Sequence, residues 1–406
     1  MKKSYFFATI LFVPSLLFGC SQNPGASETE KELDLVYRKN ISAAPVKYQS
    51  PNKEKLIDFS LEEALPLLKK TENNAVSPIT LAMALTAYGL SSGNSDALLS
   101  SSGISSLSEF YSLVSSLNWD GKSPYEDSDG NRFVGSKMRS CAFYQISQSG
   151  EHISYQEGKR EEYAGYGLPT LVSEPENTDS DAEQVIKEFL GKELPLPAMD
   201  KADPMVRIYS ALTVKEYRKL GSEKAVFHGA KQDAETDFTS LTDDVHTYKY
   251  YKGSNYQYLS VPVQYTDLTF ILPDEGVSLS SLSPEEAYKE GRENAELTPI
   301  HSSSVPFFTL DNEVDAGAAA MALLQGTDPL SGLVESDVPL NQLACKQKNR
   351  FVLDKNGIEG DSVTVMQISS SPAPMESEID FVADRPFYAF STYDDLPLFA
   401  MTVVDL

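Results

Sequence analysis

The sequence predicts an α+β protein, with helices first and large antiparallel or mixed sheets after them. Apolar residues recur at helical spacing in several segments before residue 195. After residue 204 the chain consists mostly of strand-length runs separated by turn signals rich in Gly, Pro, Asn and Asp. Its 406 residues and 41% apolar content can supply a large core and exclude a wholly disordered chain. This separation of helices from strands favours α+β over alternating βαβ units.

The first 52 residues are predicted to carry an export signal and a tether. Residues 1–19 place two lysines ahead of an apolar run, as signal peptides do. The run ends Leu17-Phe18-Gly19-Cys20, which resembles the processing site of bacterial lipoproteins, so we expect Cys20 to be lipidated. The alternative is an ordinary signal peptide cut nearby. A transmembrane helix is less favoured, because the apolar run is shorter than the roughly 20 residues that such a helix needs. Residues 20–52 are then the lipid anchor and a flexible tether, which holds the exported protein at the cell surface or on a periplasm-facing membrane.

The folded body is predicted to begin at residue 53 with helical segments. Residues 54–70 have an amphipathic repeat. Residues 79–90 are apolar nearly all round, which indicates a buried helix, and Pro78 suits its first turn. Further amphipathic helices are predicted over residues 105–118 and 179–194. Between these two helices, strand candidates over residues 140–146 and 163–172 lie around a charged helical stretch.

Strands are predicted to dominate the rest of the chain. The strand candidates are residues 204–217, 245–251, 256–263, 268–272, 305–310, 379–383, 386–393 and 397–404. Two helices interrupt them, because Ser283 can cap a helix that runs to residue 294 and an Ala-rich helix covers residues 315–324.

Composition and motifs exclude several classes of function. A formal net charge of -25 argues against nucleic acid or an anionic lipid surface as a partner. The four histidines lack metal-ligand spacing, and no nucleophile elbow, phosphate loop or dinucleotide fingerprint is present. We therefore expect no enzyme, no metal site and no cofactor. Three cysteines are too few for a disulfide framework; Cys141 and Cys345 are expected to be buried free thiols, although the sequence leaves open whether they pair.

Six short motifs follow one another along the chain. They are NNAVSPIT at 73–80, GNS at 93–95, FILPDEG at 270–276, DPLSG at 328–332, FVADRPF at 381–387 and PLFAMTVV at 397–404. Each motif is weak alone, but in this order they resemble those of the serpins, the family of suicide protease inhibitors. The resemblance covers about residues 53–406 and implies the serpin fold, with an exposed reactive-centre loop near the C-terminus.

The resemblance gives a role to a strand-forming stretch, VTVMQI at 363–368, that lies within a polar loop-like segment. In serpins the segment between Gly357 and Pro386 would be the reactive-centre loop, a bait held outside the body. A protease cuts it, and the freed arm inserts as a new strand into the large sheet and carries the protease along. Such a mechanism implies a metastable fold and a loop that can form a strand.

The resemblance also assigns the hinge of this loop. The hinge residues are Lys355, Gly357, Ile358, Gly360, Ser362 and Thr364. If Ile358 faces the core, strand alternation turns the other even-numbered positions inward and puts Glu359 and Asp361 together on the outer face, which permits insertion. Departures from the family weigh against efficient inhibition, since Lys355 stands in place of Glu and Ile358 in place of Thr or Ser. Residues 360–363 also replace a short Ala-rich run.

Family spacing, counted fifteen residues forward from Gly357, puts the scissile bond at Ser371-Pro372. Because proline after the cleaved bond is poorly accepted by serine proteases, cleavage one or two residues earlier, as at Ser370-Ser371, is the alternative. Small side chains there would suit an elastase- or subtilisin-like enzyme.

The region that controls sheet opening in serpins maps onto three residues, Ser77, Thr80 and Gln347. Ser77 matches the family pattern, Thr80 replaces a second Ser, and Gln347 stands where the family has a central His.

Two functions remain open on the sequence. The first is a serpin-type inhibitor that acts as a suicide substrate by loop cleavage and strand insertion, against an extracellular serine protease or a cysteine protease. The second is a non-inhibitory serpin-fold lipoprotein that binds a partner through its loop or acidic surface. The side-chain alternation of the loop, which puts its two acidic residues on the outer face, favours the inhibitor. The substitutions in the hinge favour the non-inhibitory protein. In both cases we expect a monomer attached to the membrane through Cys20, with no nucleic acid partner.

Overall fold

Helices of the folded body lie mainly before residue 195, as the sequence predicts. The structure, a computed structural model, describes residues 33–37, 41–121, 125–126, 132–133, 136–200, 202–217, 220–243, 246–340, 344–360 and 377–406. The helices are α1 (Lys53–Ala64), α2 (Pro78–Ser91), α3 (Asp96–Ser102), α4 (Leu107–Ser116), α5 (Lys159–Gly165), α6 (Thr178–Leu190), α7 (Pro284–Asn294) and α8 (Gly317–Leu323).

Strands run through the chain from one end of the described part to the other. Before residue 205 they are β1 (Asp34–Val36), β2 (Asn74–Val76), β3 (Trp119–Asp120), β4 (Tyr125–Glu126), β5 (Arg132–Phe133), β6 (Lys137–Ser147), β7 (Ile153–Tyr155) and β8 (Thr170–Ser173). The next are β9 (Met205–Tyr217), β10 (Glu223–His228), β11 (Asp233–Thr239), β12 (Thr247–Lys252), β13 (Tyr256–Pro262), β14 (Thr266–Pro273), β15 (Glu296–Pro299), β16 (Ser302–Pro306) and β17 (Phe308–Asp315). The last are β18 (Val334–Ser336), β19 (Lys346–Asp354), β20 (Gly357–Gly360), β21 (Asp380–Val382), β22 (Phe387–Tyr393) and β23 (Leu396–Val403).

Three large sheets contain most of the described strands, and two strand pairs, β7 with β18 and β4 with β5, form separate two-stranded sheets. Sheet A has the order β1-β8-β6-β9-β20-β19-β17, with β3 added beside β6. Sheet B has the order β15-β12-β13-β14-β22-β23-β2, and sheet C the order β10-β11-β16-β21. Most neighbours are antiparallel, but β8 runs parallel to β6 and β21 parallel to β16. The mixed sheets agree with the predicted α+β class.

Helix α2 is buried between sheets A and B. It contacts β9 on one side and β23 on the other. Its side chains are apolar around most of the helix, so neither face gains by contact with water. Pro78 occupies its first position, where the missing N–H leaves no hydrogen bond unmade. The Tyr144 hydroxyl donates to the Ala87 carbonyl at 2.6 Å, which joins β6 to this helix.

The N-terminal part of the body corrects the predicted limit of the tether at residue 52. Residues 34–36 form β1, which pairs with β8 at the edge of sheet A. Leu33 and Leu35 pack against an apolar cluster that includes Phe189 of α6, and the Arg160 guanidinium contacts the Asp34 carboxylate at 2.9 Å. The folded unit therefore begins at Leu33. Three strand residues are too few to give a periodic pattern, so the sequence did not reveal them.

Two other sequence expectations differ from the structure between residues 159 and 194. Residues 163–165 end α5 and only residues 170–173 form a strand, so the predicted strand over 163–172 is wrong at its start. The helix predicted to residue 194 ends at Leu190, because Gly191 adopts a left-handed conformation with φ of 70°.

Candidate functional site

A tight hairpin joins β19 to β20 at the predicted hinge. Asp354 pairs with Gly357, so Lys355 and Asn356 alone form the turn. The Asn356 N–H donates to the Asp354 carboxylate at 2.7 Å. Gly357 has a φ of 117°, a conformation that residues with a Cβ rarely adopt. The Lys355 carbonyl accepts from the Leu220 N–H at 3.0 Å, which ties the turn to the chain after β9.

Strand β20 lies between β9 and β19 in sheet A. Ile358 is opposite Glu216 on β9 and Leu353 on β19. This corrects the sequence expectation for the start of the loop, because Gly357, Ile358 and Gly360 are in the sheet rather than outside it. Ladder hydrogen bonds to both neighbours, together with an inward apolar side chain, explain why these residues pair.

The side chains of β20 follow the predicted alternation. Ile358 is buried with 2% of its surface exposed, whereas Glu359 lies on the outer face. The Glu359 carboxylate is 3.2 Å from the Lys192 ammonium and 3.6 Å from the Arg350 guanidinium. An outward carboxylate is therefore compensated by cations on both sides of the strand.

Beyond β20, sheet A has a central strand position whose walls are β9 residues 205–213 and β19 residues 346–351. Within the described residues, these two wall segments are paired with β6 and β17 on their far sides and with nothing on the sides that face each other. Where β20 separates β9 from β19, at residues 357–360, the two strands are about 10 Å apart, which is two strand spacings. Beyond Gly360, no described strand lies between them.

The three residues of the predicted sheet-opening region meet on the inner wall of this position. The Gln347 amide oxygen accepts from the Ser77 N–H at 2.7 Å. Its amide nitrogen donates to the Ser77 carbonyl at 2.9 Å and to the Thr80 hydroxyl at 2.8 Å. The Ser77 hydroxyl donates to the Leu398 carbonyl at 2.7 Å. Gln347 therefore links β19 to the start of α2, and Ser77 links α2 to sheet B.

Asn312 makes a second link of this kind that sequence reasoning missed. Its amide oxygen accepts from the Ala75 N–H at 2.8 Å, and its amide nitrogen donates to the Ala75 carbonyl at 2.9 Å. Asn312 pairs with Asn349 across β17 and β19. The predicted strand stopped at residue 310, so no sequence signal pointed to Asn312.

A buried carboxylate at the hinge end of β9 was also missed. Glu216 accepts hydrogen bonds from the Gln264 and Tyr265 N–H groups at 3.2 Å each and from the Thr266 hydroxyl at 2.9 Å. Burial raises the pKa of Glu216 to about 7, against the lowering effect of these donors. The sequence signal for its burial was its position in the predicted strand over residues 204–217, where strand alternation turns its side chain inward.

Several predicted residues cannot be placed. Ser362, Thr364, Ser370, Ser371, Pro372 and Cys20 lie outside the described residues. Cys141 and Cys345 are not joined by a disulfide bond, as expected, but only Cys141 is buried while Cys345 is half-buried. Among the described residues, no group of histidine, cysteine and acidic side chains has the arrangement of a metal site. None of the described helices is both long and apolar enough to cross a bilayer.

The sequence matches no family model and no curated protein, but solved structures match it over most of its length. The thermophilic serpin Tengpin in its native state is 17% identical with a TM-score of 0.65, over 90% of this chain and 98% of that chain. AtSerpin1 of Arabidopsis in its native stressed conformation is 18% identical with a TM-score of 0.61, over 88% and 99%. Thyroxine-binding globulin in complex with thyroxine is 15% identical with a TM-score of 0.62, over 87% and 99%.

The chain therefore has the serpin fold, as its motifs predict. The solved structures that share this fold are serpins and not enzymes, in agreement with the expectation from the sequence. They include a globulin that binds thyroxine as well as native serpins, so the fold leaves more than one function open.

Proposed function

We propose that this protein is a serpin-type protease inhibitor that acts as a suicide substrate by loop cleavage and strand insertion. The observation that carries the proposal is the central strand position between β9 and β19, with β20 already paired at its hinge end. A protease would cut the loop near Ser371, and residues after Gly360 would then continue the β20 strand. We expect the target to be an extracellular serine protease that prefers small side chains.

Charges on the outer face support the proposal. The β19–β20 register places Glu359 opposite Val352, so position 361 falls opposite Arg350 when the strand is extended. The guanidinium of Arg350 already lies 3.6 Å from the Glu359 carboxylate. Asp361 would therefore meet a cation on insertion, which reduces the cost of an acidic residue in the arm.

The free energy available from insertion is large enough for such a mechanism. The unpaired wall of β9 is residues 205–213, which can hold an arm of about ten residues. At roughly 1 kcal/mol net for each hydrogen bond, the new ladder supplies on the order of 10 kcal/mol before apolar burial is counted. That amount can distort a trapped acyl-enzyme before water hydrolyses it.

A non-inhibitory serpin-fold protein that binds a partner through its loop or acidic surface is the second candidate. The observation that favours it is the hinge itself, because Ile358 is bulky and fully packed where serpins have Thr or Ser. A hinge that is stable in the sheet before cleavage can slow or stop further insertion. The net charge of -25 supplies an acidic surface for a basic partner.

Export and lipid attachment at Cys20 complete the proposal. The apolar run and the sequence Leu17-Phe18-Gly19-Cys20 support them. The inhibitor would then protect the cell surface or a periplasm-facing membrane as a tethered monomer.

The decisive experiment is a denaturing gel after incubation with elastase- or subtilisin-like proteases. We expect an SDS-resistant adduct heavier than either protein. The same protease with its catalytic serine changed to alanine is the matched control and should give no adduct. Cleavage without an adduct across a broad protease panel would reject inhibition and favour the partner-binding candidate.

A further inference from the structure

The hairpin that joins β19 to β20 contains Asn356-Gly357, the only Asn-Gly pair in the sequence. Asparagine is one of the chemically labile residues of proteins. The backbone nitrogen of the residue that follows it can attack the side-chain amide carbon and close a five-membered succinimide ring. Glycine in that position presents no Cβ to hinder the attack. The sequence therefore places its most readily cyclised asparagine in the hinge.

The side chain of Asn356 lies at the surface of this hairpin. Both turn residues, Lys355 and Asn356, are exposed. The Asn356 Nδ2 donates to one oxygen of the Asp354 carboxylate at 3.2 Å, and the Asn356 backbone N–H donates to the other oxygen at 2.7 Å. The amide that would react is thus held by a surface hydrogen bond, where water can reach the ring and ammonia can leave.

The backbone of the hairpin requires the glycine that makes this asparagine reactive. Gly357 is buried and has a φ of 117°, so a larger residue that would slow the attack is disfavoured there. Ring closure needs the Gly357 nitrogen to be released from the turn. Because only Lys355 and Asn356 form the turn, its opening breaks few hydrogen bonds, and native proteins undergo local openings of this size.

Hydrolysis of the ring changes the contacts of the turn in two ways. Water opens the succinimide to an aspartate or to an isoaspartate at position 356. Both products replace the Nδ2 donor with a carboxylate oxygen beside the Asp354 carboxylate, so a hydrogen bond gives way to repulsion between like charges. The isoaspartate also carries the main chain through the side-chain carbon, which adds one atom to the backbone of the turn.

The added backbone atom acts on a hairpin whose register leaves no room for it. Asp354 pairs with Gly357, and Leu353 pairs with Ile358. Turn length sets the register of a hairpin, so a longer turn moves these partners out of alignment. Ile358 is 2% exposed and would lose its packing as β20 shifts.

We propose that Asn356 is a deamidation site and that isoaspartate formation there releases β20 from sheet A. The Gly357 nitrogen bonds to the side-chain amide carbon of Asn356 and gives up its proton, the bond from that carbon to Nδ2 breaks, and ammonia leaves with the proton. One water molecule then adds to the ring and opens it, so the step needs no oxidant. The hinge accordingly changes with the age of the molecule. This inference concerns the intact protein and does not rest on protease inhibition.

The test is incubation of the full chain for several days at mildly alkaline pH, followed by mass spectrometry of its peptides. The peptide that contains Asn356 should gain one mass unit and contain isoaspartate. Asn294 is the matched internal control, because it is exposed, its Nδ2 donates to the Glu290 carbonyl at 2.8 Å, and alanine follows it. The peptide that contains Asn294 should keep its mass over the same period.

The effect on the hinge is measured on the same samples. As isoaspartate accumulates, the melting temperature should fall by about 5 °C, because ladder hydrogen bonds and the packing of Ile358 are lost. Amide hydrogen exchange at residues 358–360 should become faster. Asn356→Gln should keep its melting temperature during incubation, because its ring would have six members and closes more slowly. Fresh Asn356→Asp has the new charge with an ordinary backbone and should lose less stability than the isoaspartate form.

Three results would overturn the proposal. If the peptide with Asn356 keeps its mass as long as the peptide with Asn294, the turn prevents ring closure. If isoaspartate forms but the melting temperature is unchanged, or falls only as far as in fresh Asn356→Asp, the added backbone atom does not release β20. If wild type and Asn356→Gln lose stability equally during incubation, the loss arises elsewhere in the chain.

Discussion

The buried carboxylate of Glu216 makes the stability of this protein depend on pH in a direction that can be worked out. Burial raises the pKa of Glu216 to about 7 in the folded state, from 4.5 in the absence of the fold. Below pH 4.5 the group is protonated in both states and has no effect. As the pH rises to 7, the unfolded chain loses the proton while the folded protein keeps it, so stability falls.

The size of this effect follows from the same two values. The difference between about 7 and 4.5 corresponds to on the order of 3 kcal/mol of unfolding free energy lost across that range. For a chain of this length the loss lowers the melting temperature by about 4 °C. Tyr393, a titratable group that lies near this carboxylate, does not contribute, because burial raises its pKa far above this range.

The assay is thermal unfolding between pH 4 and 8 for the wild type and for Glu216→Gln. Glutamine keeps an acceptor for the Gln264, Tyr265 and Thr266 donors and carries no charge at any pH. We expect the variant to gain stability over the wild type as the pH rises from about 4.5 to 7. Glu296→Gln, at an exposed position, is the control and should follow the wild type. Parallel curves for wild type and Glu216→Gln would refute the reasoning.

Three further predictions concern the opening region, the arm and the anchor. Gln347→Leu removes three hydrogen bonds to Ser77 and Thr80 and should lower the melting temperature by about 5 °C, measured by calorimetry. Gln347→His introduces the residue that serpins have at this position and should lower the melting temperature less. Equal decreases for the two variants would contradict the assigned role. In the proposed insertion Thr364 enters the sheet facing the core, so Thr364→Arg would bury a charge, and proteases should cleave this variant without forming an adduct on a denaturing gel; persistent adducts would show that the strand parity is wrong. Cys20→Ser should abolish incorporation of labelled fatty acid in cells, and labelling that survives would reject this lipidation site.

The elements that the sequence predicts well are those with local patterns. The buried helix α2 follows from an apolar run that begins after Pro78, and the strands β13 and β14 follow from strand-length runs separated by turn residues. The alternation of Ile358 and Glu359 also needed only the two-residue period of a strand. Such patterns depend on neighbours along the chain, so one sequence contains the information.

The features that sequence reasoning missed depend on distant partners. β1 exists because residues 34–36 pair with residues 170–172, and nothing local to either segment indicates the other. The burial of Glu216 depends on donors in the turn at 264–266, nearly fifty residues away. Ladder bonds to both β9 and β19 likewise draw Gly357–Gly360 into sheet A, although the resemblance placed the loop outside from Gly357 onward.

The buried polar groups of sheet A fall at successive levels along the central strand position, and their order has a physical consequence. Glu216 lies at the level of Ile358 on β20, and its donors belong to the turn before β14 and to Thr266, the first residue of β14. Protonation of Glu216 therefore changes the stability of the protein to the same extent before and after cleavage of the loop. Asn349 lies four residues further along the wall, beyond the last paired residue of β20, and its side-chain nitrogen has no hydrogen-bond partner among the described residues. A substitution at Glu216 should thus shift the melting temperatures of the intact and of the loop-cleaved protein by the same amount. A substitution at Asn349 should change the difference between these two melting temperatures.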